Sequence, residues 1–217
     1  MSQIVDQIHA QISSRRLLDH PFYVAWSKGE LTREALQKYA EQYYQWVYAF
    51  PTWLSSTHAN ATDFAMRQEM LENLIDEERG PDNHPELWLR FCDALGLDRE
   101  AVRQAAWLPE TRDAIAAMRQ VCRDQPAAAG LAALYAYESQ QPGVMKVKRE
   151  GLRDLYGVTT GHDYFEVHEH LDVEHSAKER GMLAQHAPGH EAAITAAVAT
   201  ALDATYTLLD GIERVRQ

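Results

Sequence analysis

Apolar residues recur along this chain at spacings of three and four and nowhere alternate convincingly with polar ones, so the pattern predicts helices throughout and no strand. A short helix reaches about residue 13, and Pro21 in His20-Pro-Phe-Tyr23 suits the first position of a second. Thr32 can cap a long segment in which Leu36, Tyr39, Ala40, Tyr43, Tyr44, Trp46, Val47 and Phe50 make a broad apolar face, as a central helix requires. Pro51 is expected to kink this helix without ending it, because Trp53, Leu54 and His58 continue the pattern. An amphipathic helix from Asp63 stops at Gly80-Pro81, and further helices are expected from His84, Asp98, Pro109 and Pro126. Pro142-Gly143 is expected to interrupt the run begun at Pro126, with helical spacing resuming over 146–156. Two more helices follow, over about 163–185 and from Gly189 to about 215. The expected fold is all-α, a compact bundle of about seven to nine helices forming a single domain over 1–217.

Composition narrows the function classes. A formal net charge of −11 leaves no basic stripe to neutralise phosphates, which argues against nucleic acid and against an anionic membrane surface. No stretch approaches 18 uninterrupted apolar residues, and the first twenty residues lack a basic-then-apolar layout, so a cytoplasmic protein with no membrane partner is expected. Cys92 and Cys122 lie in separate helical segments without a CxxC motif, as buried free thiols would. No GxGxxG motif offers a flavin or nicotinamide site.

The segment His168-Glu-His-Leu-Asp172-Val-Glu-His175 places three metal-ligand side chains at i, i+4 and i+7. At 100° per residue, Asp172 lies about 40° and His175 about 20° from the His168 direction, so all three share one helix face. They span roughly 10 Å of axis, enough to serve two ions about 3.5–4 Å apart. Three further residues on core-facing segments can complete such a site. Glu77 ends one helix, His84 begins the next beyond Gly80-Pro81, and Glu138 sits among Leu131, Leu134, Tyr135 and Tyr137, where a carboxylate needs a proton, a cation or a metal. Three histidines and three carboxylates from four segments have the stoichiometry of a carboxylate-bridged dimetal centre, without the paired Glu-x-x-His of ferritin-like proteins or the HExxH of zinc proteases. Taken singly, each residue has a competing reading: His84 as a helix cap, Glu77 as part of the acidic run 76–78, and the 165–180 stretch as a salt-bridged exposed face.

Glu77-x6-His84, then Glu138, then His168-x3-Asp172-x2-His175 resembles the ligand set of the family of the Chlamydia protein associating with death domains. That family lies within the haem-oxygenase-like dimetal oxidases, which share the helical fold of TenA and PqqC, and the resemblance spans about 5–215. It implies two metal ions, Fe/Fe or Fe/Mn, that activate O2 with an external reductant. It also implies synthesis of p-aminobenzoate, the folate precursor, from one of the protein's own tyrosines with an internal lysine as amino donor. On this resemblance Tyr23 corresponds to the sacrificed tyrosine, Tyr137 and Tyr164 to auxiliary redox tyrosines, and Lys148 to the amino donor, with Lys146 close enough to leave that last choice open. By residue pattern alone these tyrosines read equally as core residues, and the lysine as a surface chain. The superfamily is also compatible with a homodimer.

Rival readings are a dimetal oxidase acting on an external small molecule, a thiaminase-like enzyme using a cysteine, and a protein-binding module without catalysis. Substrate-dependent oxygen consumption distinguishes the first, thiol alkylation the second, and a pull-down that survives loss of His168 the third.

Overall fold

Side-chain caps and prolines explain where the helices begin in the computed structural model, which describes residues 3–216. Thr32 accepts a hydrogen bond from the Ala35 amide, Asp63 from Met66, Asn83 from Glu86 and Asp98 from Ala101, each satisfying a first-turn N–H that has no helical partner. Pro21, Pro85, Pro109 and Pro142 occupy first-turn positions, where a missing N–H costs nothing. The helices are α1 (Gln3–Ser14), α2 (Pro21–Ser27), α3 (Arg33–Asn60), α4 (Phe64–Glu78), α5 (His84–Ala94), α6 (Arg99–Arg103), α7 (Pro109–Asp124), α8 (Ala127–Glu138), α9 (Gln141–Asp154), α10 (Asp163–His186) and α11 (Glu191–Arg216). A single 3-10 turn covers Leu17–Asp19, and there is no strand among the described residues.

This is the expected all-α bundle, with eleven α-helices among the described residues instead of seven to nine. Each corresponds to a segment expected from the sequence, including the short α2 and α6 of 7 and 5 residues, so the expectation of seven to nine undercounted those segments. The Pro142-Gly143 pair does not break a helix. Pro142 lies in the first turn of α9, so the break falls earlier, at Ser139-Gln140, and α9 starts at Gln141 rather than Lys146. Pro51 lies inside the 28-residue α3, which continues past it to Asn60. The expected domain includes residues 1, 2 and 217, which lie outside those described.

α3 and α8 form the middle of the bundle. From Ala128 to Glu138, α8 is buried on every face, so its run of alanines lets neighbouring helices approach closely. α3 packs against α4, α5, α7 and α8, while α10 lies against α9, α8 and α5. α11 is long and apolar enough to cross a membrane by composition alone, yet half of its most apolar window is buried, against α7 and α8. One contiguous core, including fully buried Trp26, Trp46, Trp53 and Trp88, runs through these contacts.

Two glycines position the site. Gly80 has φ of 86°, a left-handed conformation that reverses the chain between α4 and α5 and returns His84 to Glu77. Gly151 on α9 faces the Trp26 indole on α2, and a Cβ there would lie 2.6 Å from Nε1, so only glycine allows this approach of α9 to α2.

Candidate metal centre

α4, α5, α8 and α10 together supply two groups of potential ligands, with α10 alone contributing to both. Glu77, His84 and His168 form one, Glu138, Asp172 and His175 the other, and within each group the ligand atoms lie within 4.8 Å of one another. All six sequence-predicted residues are therefore brought together, and all are buried. His168, Asp172 and His175 share the inward face of α10, as their spacing requires. Glu138 is the last residue of α8, where the apolar run delivers it to the centre.

Hydrogen bonds fix which imidazole nitrogen faces each group. His168 Nδ1 donates to the Tyr164 carbonyl at 2.7 Å, leaving Nε2 for the site. His175 Nε2 lies 3.3 Å from Asp76 Oδ2, while Nδ1 lies 3.9 Å from both Glu138 Oε1 and Asp172 Oδ1. His84 Nδ1 is 2.8 Å from Glu77 Oε2, and the His84 and His168 rings are 4.3 Å apart.

Charge in this cluster is poorly compensated by the protein itself. Burial pushes the Asp172 carboxyl well above the usual range, and Glu138 and Glu77 reinforce the shift. Burial likewise raises Glu138, against the opposing effects of Glu179, His175 and the Asn73 amide. Burial holds His168 well below the ordinary histidine value, with His84 adding to the effect, so its ring is neutral and free to ligate. Burial pulls His84 down, but Glu77, Asp76 and Glu138 carry it above its ordinary value. Glu138 Oε2, Asp172 Oδ2 and His175 Nδ1 are buried without a hydrogen-bond partner. Buried acceptors that face one another without donors are costly, and divalent cations between them remove the cost. A set of three imidazoles and three carboxylates accepts iron, manganese and zinc alike, so the residues present suit a pair of divalent ions.

A narrow pocket lies beside both groups, lined by Val47, Phe50, Tyr137 and Tyr164 together with ligands. Tyr164 packs its ring 4.1 Å from His168, and Tyr137 Oη is 2.8 Å from Tyr43 Oη. Tyr23 does not line this cavity. It is fully buried on α2, with Oη 3.4 Å from Tyr39 Oη, and the Tyr39 ring lies 5.1 Å from that of Tyr43. Lys148, from α9, enters the same aromatic cluster. Its Nζ lies 4.5 Å from the Tyr43 ring centre, 5.2 Å from Tyr23, 5.4 Å from Tyr39 and 6.0 Å from Trp88. Burial drives its amine well below the ordinary lysine value. Lys146 is exposed.

Three residues absent from the sequence reading border the centre. Asp76 supports His175, Asn73 Nδ2 donates to Glu138 Oε1 at 3.0 Å, and Glu179 is 1% exposed and within hydrogen-bonding reach of Glu138. Glu179 continues the 4, 3, 4 spacing of 168, 172, 175 and 179, a signal visible in the sequence. Cys92 and Cys122 are buried, with thiols pushed up to about 12 by burial, so neither is an activated nucleophile.

The family profile described as iron-containing redox enzyme matches residues 37–207. The protein is 45% identical to a 4-aminobenzoate synthase of Nitrosomonas europaea over 95% of this chain and 89% of the relative. It is 42% identical to a 4-aminobenzoate synthase of Chlamydia muridarum over 82% of this chain and 77% of the relative. A TenA homologue from P. horikoshii shares the fold, with a TM-score of 0.81 at 15% identity, covering 97% of this chain and 98% of its own. With its two groups of buried ligands and this sequence kinship, the chain belongs to the iron-containing redox enzymes of haem-oxygenase-like fold, metal-dependent oxidoreductases among which the Nitrosomonas and Chlamydia relatives are found.

Proposed function

We propose that this protein makes p-aminobenzoate from its own Tyr23, with the Lys148 amine as nitrogen donor, and that each chain acts once. Relatives at 42–45% identity bear the name 4-aminobenzoate synthase. The observation that carries the reading is the burial of Lys148 Nζ among aromatic rings, 5.2 Å from the centre of the Tyr23 ring and with no carboxylate to hold it as an ammonium. A neutral amine keeps its lone pair and is nucleophilic. Exposed Lys146 has no such environment.

Glu77, His84 and His168 would hold one ion, and Glu138, Asp172 and His175 the other. When bound, Fe/Fe or Fe/Mn would supply O2 activation and oxidising power, with electrons from an external reductant. The chain's own residues orient and isolate the reacting groups. Burial keeps the Tyr23 proton on its phenol far above the ordinary tyrosine range, and the Tyr39 hydroxyl beside it is positioned to accept that proton when the ring is oxidised. Tyr43 packs its ring on that of Tyr39 and pairs hydroxyl to hydroxyl with Tyr137 at the cavity wall, where the Tyr164 ring packs against His168. In this reading the Tyr23 Cα–Cβ bond breaks and Cβ, oxidised at the expense of O2, becomes the carboxyl carbon; Nζ replaces Oη, which leaves as water, and the Lys148 Cε–Nζ bond breaks with Cε oxidised to the aldehyde level by O2.

The assignment extends to one domain over 1–217, a cytoplasmic location and a homodimer, the last resting on the superfamily resemblance alone. A second reading, oxidation of an external small molecule, draws on the pocket beside the ligand groups, which would have to widen to admit a substrate.

The test is mass spectrometry on protein loaded anaerobically with Fe(II), with and without manganese, then given reductant and O2 but no organic substrate. Released p-aminobenzoate with a matching loss at Tyr23, both absent in Tyr23→Phe, is the expected result. Oxygen uptake without product would move the assignment to the external substrate.

A further inference from the structure

Beside the metal centre, α4 and α10 flank a solvent-open cleft lined by Glu69, Glu72, Asn73, Asp76, His175 and Glu179 among others. Lys178 spans its mouth from α10, with Nζ 3.0 Å from both Glu69 and Glu72 on α4. Its depth ends on His175, a member of the second ligand group, and on Glu179 one turn further along α10.

Glu179 is the informative residue. Its side chain is 1% exposed, and neither carboxylate oxygen accepts a hydrogen bond from a donor. A carboxylate so placed is stabilised only by a proton or a cation, and the group nearest to it, Glu138, is another acid. Asn73 Oδ1, on the facing α4 wall, is also buried without a donor and adds a second oxygen suited to a hard cation. Glu179 nevertheless stands outside the set of Glu138, Asp172 and His175 atoms that lie within 4.8 Å of one another. It lies one turn of α10 beyond His175, within hydrogen-bonding reach of Glu138. Acidic Glu69, Glu72, Asp76 and Glu174 outnumber the single Lys178 along the cleft, and a concave surface of one sign concentrates ions of the other. The second pocket touches Glu77, Glu138, His168 and Asp172, but Val47, Phe50, Tyr137 and Tyr164 make up the rest of its wall, with no charged side chain besides those ligands.

We propose that the α4–α10 cleft is the route by which divalent metal ions reach the centre, with Glu179 as a transit ligand that passes each ion to Glu138 and His175. Lys178 occupies the mouth as a tethered cation that incoming ions displace. The proposal rests on the metal reading of the two ligand groups.

The test uses Co(II) alone as probe, mixed with metal-free full-length protein and followed by the absorbance of the bound ion in stopped flow. Wild type is expected to end at two ions per chain, with an uptake rate that falls steeply as salt is added. Glu179→Gln is expected to reach the same end point about tenfold more slowly, and Lys178→Gln to load several-fold faster. Wild-type rates in Glu179→Gln, or an unchanged rate in Lys178→Gln, overturn the route. A final stoichiometry of one in Glu179→Gln also overturns it, because Glu179 is then a resident ligand. Failure of wild type to bind two ions overturns the metal reading itself, which separates that failure from failure of the route.

Discussion

Asp76 Oδ2 lies 3.3 Å from His175 Nε2, and this contact assigns the two ring nitrogens: Nε2 carries the proton toward Asp76, and Nδ1 presents its lone pair to Glu138 and Asp172. Carboxylate support of this kind orients a ligating imidazole and raises its basicity. Asp76→Ala is expected to weaken one of two metal-binding steps by about tenfold to a hundredfold while leaving the other within a few-fold. Competition titration against a chelator resolves the two steps, and equal weakening of both would contradict the assignment.

His168→Ala and Glu138→Ala each remove a ligand from a different group. Both variants are expected to lose bound metal in elemental analysis and to lose reductant-dependent oxygen uptake. Full stoichiometry and uptake retained in both would refute the ligand set.

Lys148 makes stability depend on pH in a definite direction. Burial lowers its folded pKa well below the unfolded value, and the surrounding rings offset only part of that shift. Between the two pKa values the unfolded chain binds one more proton than the folded one, so folding stability rises with pH through that window, by about 1.4 kcal/mol per unit, up to about pH 10.4. Lys148→Met is expected to melt higher than wild type at pH 7, with a flatter stability profile toward alkaline pH, and to release no p-aminobenzoate. A wild-type profile in Lys148→Met would mean that the amine is charged in the folded protein.

Gly151→Ala tests the approach of α9 to α2. The added Cβ would lie 2.6 Å from Trp26 Nε1, inside a fully buried indole, so the helices must separate. Such overpacking costs about 1–3 kcal/mol. A fall in Tm of about 2–4 °C per kcal/mol follows for a chain of this size. Because α9 carries Lys148 and α2 carries Tyr23, product per chain is expected to fall as well, with metal stoichiometry unchanged.

The ligand set was legible because its chemistry conflicts with its surroundings. Glu138 is an acid within a continuous apolar run, and His168, Asp172 and His175 lie on one helical face at spacings that geometry makes coincident. Glu179 obeys the same spacing, but it sits where charged residues are dense in sequence, and only burial separates it from exposed Glu174. Asp76 was masked in the same way by the acidic run it belongs to, since adjacent residues on a helix point about 100° apart and only the fold decides which faces inward. Helix boundaries near proline were the weaker part. Pro142 reads as a breaker in a window of sequence, yet in a first turn it starts a helix, and the distinction depends on where the preceding helix ends. The meeting of Tyr23 with Lys148 was expected from resemblance only, because residues 125 positions apart meet through the packing of α2 on α9, which no local pattern encodes.

The complete burial of Tyr23 has a consequence for the lifetime of the molecule. Its ring is wedged among Phe22, Tyr39 and the Lys148 side chain, with 1% of its surface exposed. Under the proposed chemistry a chain that has given up this ring keeps a void of the same shape, and losing a buried aromatic side chain costs about 3–5 kcal/mol. That is a large part of the roughly 5–15 kcal/mol that holds an ordinary domain folded. Spent chains would therefore unfold more often than fresh ones, so the same event that releases the product also marks the used protein for proteolytic clearance.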